Sequence, residues 1–286
     1  MPAFMSDRFR IRTMSRDEVA IAVDWAAAEG WNPGLHDAEC FRAADPEGFL
    51  AGLLDDEPVA TISVVRYGGT FGFLGLYIVK PSQRGKGFGW KLWNAGLQHL
   101  RGRTIGLDGV VAQQANYRRS GFRFMHRNIR YVRRGGVDVA DDPDIAPLSS
   151  LPIEALNAYD SAIFGADRLA FLRCWIRQPQ SVALGVRRGG RLSGYAVMRR
   201  ARSGFKIGPL FADDEHLADA LFTRLAARIP GDASLYLDVP EANVPALDLA
   251  RRHGMTIVFE TARMYAGPPV AVPVDRIFGV TTFELG

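Results

Sequence analysis

Residues 79–89 of the chain read Val-Lys-Pro-Ser-Gln-Arg-Gly-Lys-Gly-Phe-Gly, a loop rich in glycine and positive charge. Its three alternating glycines stand beside two cations: Gly85, Gly87, Gly89, Arg84 and Lys86. Glycine lacks Cβ and reaches backbone angles closed to other residues, so such a loop can turn several N–H donors toward one anion. Residues 87–100 continue with apolar side chains at helical spacing, and a helix N-terminus also favours an anion. The sequence therefore predicts a phosphate-binding loop that opens a helix.

Two other nucleotide-binding loops are excluded by their spacing. The dinucleotide fingerprint needs Gly-x-Gly-x-x-Gly, but Trp90 and Leu92 stand at the third glycine of the two possible registers. A Walker A loop needs Gly-x-x-x-x-Gly-Lys-Ser/Thr, but Lys80 stands at its first glycine and Gly87 follows Lys86. The loop therefore belongs to another class of phosphate site.

Apolar patterning around the loop predicts an α/β fold. Residues 71–79 are almost all apolar, which is typical of a central strand covered on both faces. We expect Trp90 and Trp93, on the following helix, to be core residues. The predicted strands of this half span 49–67 (two strands around a turn at 55–58), 71–79, 104–107 and 122–132, and the helices span 87–100 and 113–120.

The second half repeats this order of elements. Arg251–Met255 echoes Arg118–Phe122, and between the halves Gly135–Ser150 is rich in turn-forming glycine, proline and aspartate. Strands are predicted over 181–200 (a hairpin around 188–190), 205–210, 234–239 and 255–265, with helices over 216–229 and 244–253. We therefore expect an internal duplication, with domains at residues 1–135 and 146–286.

The loop resembles motif A of the GNAT N-acetyltransferases, Arg/Gln-x-x-Gly-x-Gly/Ala, with Arg84, Gly87 and Gly89 at its signature positions. Tyr117–Phe122 is similar to the family's Tyr-x-x-x-Gly-Phe. The resemblance covers roughly residues 8–134. It implies tandem GNAT folds, each with a central mixed β-sheet flanked by helices, and acetyl-CoA as co-substrate. The residues implied to bind acetyl-CoA are Tyr77, Ile78, Val79, Arg84, Gly85, Lys86, Gly87, Phe88, Gly89 and Asn116.

The resemblance also implies a reaction, the direct attack of a neutral amine on the thioester. Collapse of the tetrahedral intermediate expels the coenzyme A thiolate, and Tyr117 occupies the position that usually protonates it. The alternative for Tyr117 is a structural tyrosine between helix and sheet. The family often has an asparagine seven residues earlier, where this chain has Val110. The coenzyme contact of that asparagine is therefore either missing here or taken over by Gln113 or Asn116.

The second half lacks the corresponding chemistry. Three consecutive acids within residues 211–216 stand where its phosphate loop should be, and Ala250 stands at the position of Tyr117. Asn243, seven residues before Ala250, is a trace of the duplication. Stretches such as 207–210, 237–240 and 278–286 resemble a bacterial two-domain GNAT subgroup (YitH-like). We therefore expect a degenerate second domain that walls the acceptor pocket of the first.

The sequence indicates the residues that bind the acyl acceptor less clearly than it indicates the phosphate loop. In the resemblance, the segment after the first helix lines the acceptor site, which makes Trp31, His36 and Asp37 candidates. Asp37 is also a candidate helix cap, and that interpretation is the favoured one. Asp160 and Arg168 are further candidates for gripping a polar substrate, with a helix cap and surface ion pair as the alternative. The general base stays unassigned.

Composition narrows the functional class. The net charge of +4 over 286 residues suits an anionic ligand but is no nucleic-acid footprint, and residues 118–134, the densest basic stretch, are interpreted mainly as a solvated face. Two distant cysteines make a disulfide or a metal site unexpected, and they favour a cytoplasmic protein, as does the absence of a signal peptide or a membrane span.

These observations favour an N-acetyltransferase acting on a primary amine of a small molecule, without a metal, nucleic-acid or membrane partner. The oligomeric state stays open. The nearest alternative is a non-catalytic acyl-CoA sensor, and the third is protein or nucleic-acid binding through the basic stretch.

Overall fold

A computed structural model describes residues 9–137, 142 and 144–286. The first eight residues and part of the predicted boundary lie outside the described residues. The predicted elements are present, most of them within one to three residues of their expected limits. No described helix has the length and apolar character that crossing a bilayer requires.

The first half contains six strands and four helices among the described residues. They are β1 Phe9–Thr13, α1 Arg16–Ala28, α2 Asp37–Ala44, β2 Phe49–Leu54, β3 Glu57–Tyr67, β4 Phe71–Val79, α3 Phe88–His99, β5 Thr104–Val110, α4 Gln114–Arg119 and β6 Arg123–Arg134. The second half comprises β7 Ile145–Pro147, α5 Ile153–Phe164, α6 Leu169–Trp175, β8 Ser181–Arg188, β9 Arg191–Arg200, β10 Phe205–Ala212, α7 Glu215–Ala226, β11 Ser234–Pro240, α8 Val244–Arg252, β12 Thr256–Ala266 and β13 Ile277–Gly279.

A single mixed sheet joins the described strands of both halves. Its order is β1-β2-β3-β4-β5-β12-β6-β11-β10-β9-β8-β7, with β13 beside β10. The repeat makes β6 and β12 equivalent, yet each pairs with the other half: β12 lies against β5, and β6 lies against β11. The two exchanged strands also pair with each other. The fold is therefore α/β, as predicted, with its last long strands exchanged between the halves.

Buried ion pairs fasten the exchanged strands. On β6, Arg130 donates two hydrogen bonds of 2.7 and 2.8 Å to Asp238 of β11, and both side chains are 3% exposed. Arg127, three residues earlier on β6, is half-exposed and pairs with Glu241 and Glu260 of the second half. The basic stretch is therefore not simply a solvated face, because several of its cations hold the second half.

The helices cover both faces of the sheet. On one face α3 packs Leu92 and Trp93 against β3 and β4, whereas α1, α2, α5 and α6 share a core on the opposite face that includes Phe41 and Trp175. Trp93 is 3% exposed, as expected for a core residue, but Trp90 is 63% exposed. The core prediction was wrong for Trp90 because it stands on the outer side of α3, at the mouth of the cavity described below.

A disulfide joins the two halves. Cys40 of α2 and Cys174 of α6 are bonded, with their Cα atoms 5.2 Å apart. The expectation of unpaired cysteines was wrong because the fold packs α2 against α6. The two cysteines are 134 residues apart in the chain, so their sequence positions do not indicate this contact. The bond also removes the support that the cysteine count lent to a reducing compartment.

Candidate functional site

A cavity of about 620 Å³ opens where β4 and β5 diverge. The two strands pair in parallel from Phe71 opposite Thr104 to Leu74 opposite Leu107, and their pairing stops there. Beyond that point β4 remains paired with β3 only, so the edge of β4 that faces the cavity is free of a strand partner in the described structure. A free edge presents backbone N–H and C=O groups to whatever enters.

A bulge explains the divergence. Leu76 has φ +44°, in the left-handed region that a branched side chain rarely adopts, and the β3–β4 register shifts at the same place. The bulge bends β4 away from β5, and residues 77–79 line the opening. The predicted contact residues Tyr77, Ile78 and Val79 therefore lie along the cavity.

The glycine loop lies at the end of β4. Gly85 and Gly87 have φ values of +78° and +84°, and a Cβ at either would meet open space, so conformation rather than crowding requires glycine there. Gly87 is the N-cap of α3, whose first amides are left without partners within the helix. At Gly89, in contrast, a Cβ would stand 2.6 Å from the Tyr77 hydroxyl. The loop thus has the open backbone that an anion site needs.

The remaining loop residues differ in what they offer. Arg84 lines the cavity, but its guanidinium is engaged with the Val79 carbonyl at 2.9 Å and with Glu29. Lys86 is exposed and donates to Gln83 at 2.9 Å. The Phe88 side chain is buried and stacks on Phe9, with ring centroids 4.7 Å apart. Phe88 can therefore contact a ligand only through its backbone.

Tyr117 lines the same cavity from α4. Its ring stacks on Trp93 with centroids 5.7 Å apart, and it lies so close to β5 that a Cβ at Gly109 would be 2.2 Å from the ring. Burial, with a smaller effect of Tyr77, raises the pKa of Tyr117 to about 12. At neutral pH the hydroxyl is therefore protonated and able to donate.

Two amide side chains lie beside Tyr117. Gln113 and Asn116 both line the cavity, and the Asn116 amide donates to Gln113 at 2.6 Å. Arg119 lines it as well. Both residues that were candidates to replace the contact at Val110 thus lie at the cavity.

The second half closes the other end of the cavity. Of the predicted acceptor-side residues, Trp31 lies there. Four residues of the second half that sequence reasoning did not select also line the cavity: Phe259, Thr261, Phe283 and Glu284. Glu29, which pairs with Arg84 of the glycine loop, lines it as well. Glu284 had a visible signal, because it is the one acid in the apolar run of residues 278–286. Its contacts with the first half depend on the tertiary fold.

The structure corrects the expectations for four candidates. Asp37 is fully buried and neither caps a helix nor faces the cavity: it pairs with Arg199 of β9 at 2.8 Å and accepts from the Gly34 amide. His36 is the N-cap position of α2, without a side-chain cap bond, and lies away from the cavity. Asp160 and Arg168 form a buried pair at 2.7 Å, not a surface one, which leaves no face for a substrate.

The acidic turn of the second half is used structurally. Asp213 accepts from the Tyr159 hydroxyl and pairs with Arg276, while Asp214 caps α7 through the Leu217 amide at 2.9 Å. Asn243 caps α8 and donates to three carbonyls of residues 274–277. Side chains of these segments hold the fold instead of exposing an anion site.

Comparisons with known proteins agree with this geometry. A model of the acetyltransferase (GNAT) family matches residues 16–122, and a model of the acetyltransferase (GNAT) domain matches residues 156–279. The chain is 32% identical over 273 residues to the holothin acyltransferase of Pseudoalteromonas sp. (strain SANK 73390), which covers 95% of this chain and 92% of that protein. The chain belongs to the GNAT acetyltransferase family.

Two further proteins are similar to the chain. An uncharacterized N-acetyltransferase of Bacillus subtilis (strain 168), YitH, is 27% identical over 107 residues, 37% of each chain. The crystal structure of a putative acetyltransferase from Pyrococcus horikoshii superimposes with a TM-score of 0.82 at 23% identity, over 100% of this chain and 99% of that one. This GNAT protein is thus an acyltransferase with two family domains, the predicted type.

Proposed function

We propose that this GNAT protein transfers an acetyl group from acetyl-CoA to a primary amine of a small molecule. The observation that carries the proposal is the free edge of β4, which runs from the glycine loop along the cavity that Tyr117 lines. The relative from Pseudoalteromonas is named for acyl transfer to holothin, which supports an acceptor outside the protein itself.

Different residues along the free edge of β4 suit different parts of acetyl-CoA. The loop amides around Gly87 and the N-terminus of α3 suit the pyrophosphate, and the backbone of residues 77–79 suits the pantetheine arm and the thioester carbonyl. Hydrogen bonds to that carbonyl stabilise the negative charge that develops when the amine attacks. Tyr117 then donates its proton to the departing thiolate.

A Tyr117→Phe variant tests the proposal. Thiol release from acetyl-CoA is followed over a panel of primary amines, and acetyl-CoA binding is measured by calorimetry. We expect turnover to fall by about 10²-fold with binding unchanged, because the variant lacks only the proton donor. Tyr236→Phe, on β11 away from the cavity, is the matched control and should keep full turnover.

Three outcomes are distinct. Unchanged turnover in the variant would remove Tyr117 as the acid. Weaker acetyl-CoA binding with normal turnover at saturation would make Tyr117 a binding residue. Acetyl-CoA binding by the wild type without thiol release to any amine would favour the non-catalytic sensor.

A further inference from the structure

Three aromatic side chains from distant parts of the chain line one end of the cavity. Trp31 follows α1, Phe259 stands on β12 and Phe283 lies in the C-terminal segment after β13. The rings of Phe259 and Phe283 are tilted against each other, with centroids 6.2 Å apart. Trp31 and Phe259 are only half-buried, so part of their ring surface is open to a ligand. We call these three residues the aromatic cluster.

A single buried arginine holds the aromatic cluster together. The Arg130 guanidinium lies 4.7 Å from the ring centroid of Phe283 and 5.7 Å from that of Phe259, and it donates to the Trp31 carbonyl at 2.6 Å. A cation over an aromatic ring is a favourable contact. The other two nitrogens of the guanidinium donate to Asp238 of β11. The positions of the three aromatic residues are therefore set by the fold.

The aromatic cluster reaches the cavity from the sheet face opposite to α3. Trp31 belongs to the core that α1 and α2 form on one face, together with Phe73 of β4. Gly75 points to the same face as Phe73, because alternate residues of a strand do so, and a Cβ there would lie 2.1 Å from the carbonyl of the residue after Phe283. Tyr117, in contrast, packs with α3 on the other face. A molecule held by the aromatic cluster therefore approaches the edge of β4 from the side opposite to Tyr117.

The charged groups nearest the aromatic cluster are closed to a ligand. The Arg130 side chain is 3% exposed and its three nitrogens already donate to the protein. The Asp108 side chain is fully buried and pairs with Arg263. Both carboxylate oxygens of Glu284 are buried as well. What this end of the cavity offers to a ligand is therefore mainly aromatic carbon.

The exposed charges of the cavity lie at its donor side. Glu29 pairs with Arg84 of the glycine loop, and Arg119 stands on α4. A carboxylate or phosphate held against the aromatic cluster would lose its water without gaining a charged partner, which is costly. A flat apolar ring would instead stack on the open faces of Trp31 and Phe259.

We propose that the aromatic cluster binds an uncharged planar ring of the acyl acceptor, so that the substrate is an aromatic or arylalkyl primary amine without a carboxylate or phosphate group. This assignment rests on the proposed acetyltransferase function and names its substrate class. Two of the three residues, Phe259 and Phe283, come from the second half. The second half thus takes part in selecting the acceptor, although it has lost its own phosphate loop.

The test compares three amines with acetyl-CoA as donor. Benzylamine carries a flat ring, cyclohexylmethylamine replaces it with a puckered ring, and 4-(aminomethyl)benzoate adds a carboxylate at the far end of the flat ring. For the wild type we expect kcat/KM to be highest for benzylamine, by about tenfold or more over each of the other two. Spermidine, a charged amine without a ring, is the fourth probe and should be a poor substrate.

Two variants remove members of the aromatic cluster from separate elements. Phe259→Ala and Trp31→Ala are each expected to raise KM for benzylamine by about tenfold with kcat changed less than threefold, because the ring contacts are the same in the ground state and the transition state. The preference for benzylamine over cyclohexylmethylamine should shrink in both. Acetyl-CoA affinity and the melting temperature should match those of the wild type.

Val258→Ala is the matched control. Val258 precedes Phe259 on β12, is 53% exposed and does not line the cavity. Its truncation should leave the kinetics of every amine unchanged. A tenfold rise of KM for benzylamine in this control would count against a specific ring site.

The outcomes separate this assignment from the proposed function. Equal kcat/KM of the wild type for all the amines, turnover of spermidine but not of benzylamine, or an unchanged benzylamine KM in both variants would overturn the ring site and leave the acetyltransferase function standing. A loss of activity with hexanoyl-CoA alone in Phe259→Ala would also overturn it, because the aromatic cluster would then hold the acyl chain. A wild type that binds acetyl-CoA but releases thiol with none of the amines would count against the proposed function itself.

Discussion

Asp108 of β5 accepts two hydrogen bonds of 2.7 Å from the guanidinium of Arg263 on β12. The Asp108 side chain is fully buried and also accepts a hydrogen bond from Asn128 of β6 at 2.7 Å, and the residue lines the cavity. One carboxylate thus contacts both exchanged strands. The pair therefore links a residue that lines the cavity to β12, one of the two strands exchanged between the halves.

Arg263→Met is expected to lower the free energy of unfolding by about 3–5 kcal/mol, because it leaves the buried Asp108 charge without its cation. Denaturant unfolding measures this. The matched control is Arg134→Met, since Arg134 lies 3.9 Å from Asp232 with both side chains largely exposed, and its removal should have little effect. Equal effects of the two substitutions would show that the buried pair does not stabilise the exchange.

Gly87→Ala is expected to weaken acetyl-CoA binding at least about fivefold. Its φ of +84° is costly for alanine, by about 1–2 kcal/mol, so the loop must shift and its amides lose their common direction. Gly102→Ala is the control, because Gly102 has φ +83°, also faces open space, and lies outside the loop. Calorimetric titration should show weaker binding for Gly87→Ala alone. An equal change in both variants would contradict a special role of the loop.

Lys206→Met is expected to remove part of the pH dependence of stability. Burial, followed by the charge of Arg130, lowers the pKa of Lys206 to about 8 from 10.5. Between these values the unfolded chain binds more protons than the folded one, so the free energy of unfolding of the wild type rises with pH. The rise amounts to about 3 kcal/mol at most. Unfolding curves at pH 8 and pH 10 should show a smaller increase in the variant than in the wild type.

Reduction of the disulfide is expected to destabilise the protein. Cys40 and Cys174 close a loop of 134 residues, and the chain-entropy model assigns such a loop about 5 kcal/mol. Thermal unfolding with and without dithiothreitol measures the effect. The Cys40→Ala/Cys174→Ala double variant should melt lower than the oxidised wild type and should not respond to dithiothreitol. No response of the wild type to the reductant would count against the bond.

The glycine loop at the start of α3 and the position of Tyr117 after β5 were predictable from sequence for a local reason. The loop at residues 84–89, the strand before it and Tyr117 lie within one short strand–helix–strand–helix segment, whose conformation depends on nearby glycines and apolar spacing. The acceptor side was not predictable in this way. Asp37 was selected because it follows the first helix, and Asp160 because it could grip a polar substrate, but each forms a buried ion pair, with Arg199 and Arg168 respectively.

By itself, the sequence determined two α/β repeats and a single glycine loop suited to a phosphate. It also showed that acidic residues replace this loop in the second half. Each of these features depends on neighbours within about ten residues. Only the tertiary structure decided that β6 and β12 exchange partners and that Cys40 meets Cys174. It also brought Glu284 beside β4, more than 200 residues away in the chain. Strand exchange satisfies the same backbone hydrogen bonds as local pairing would, so the periodicity of a strand cannot reveal which partner it takes.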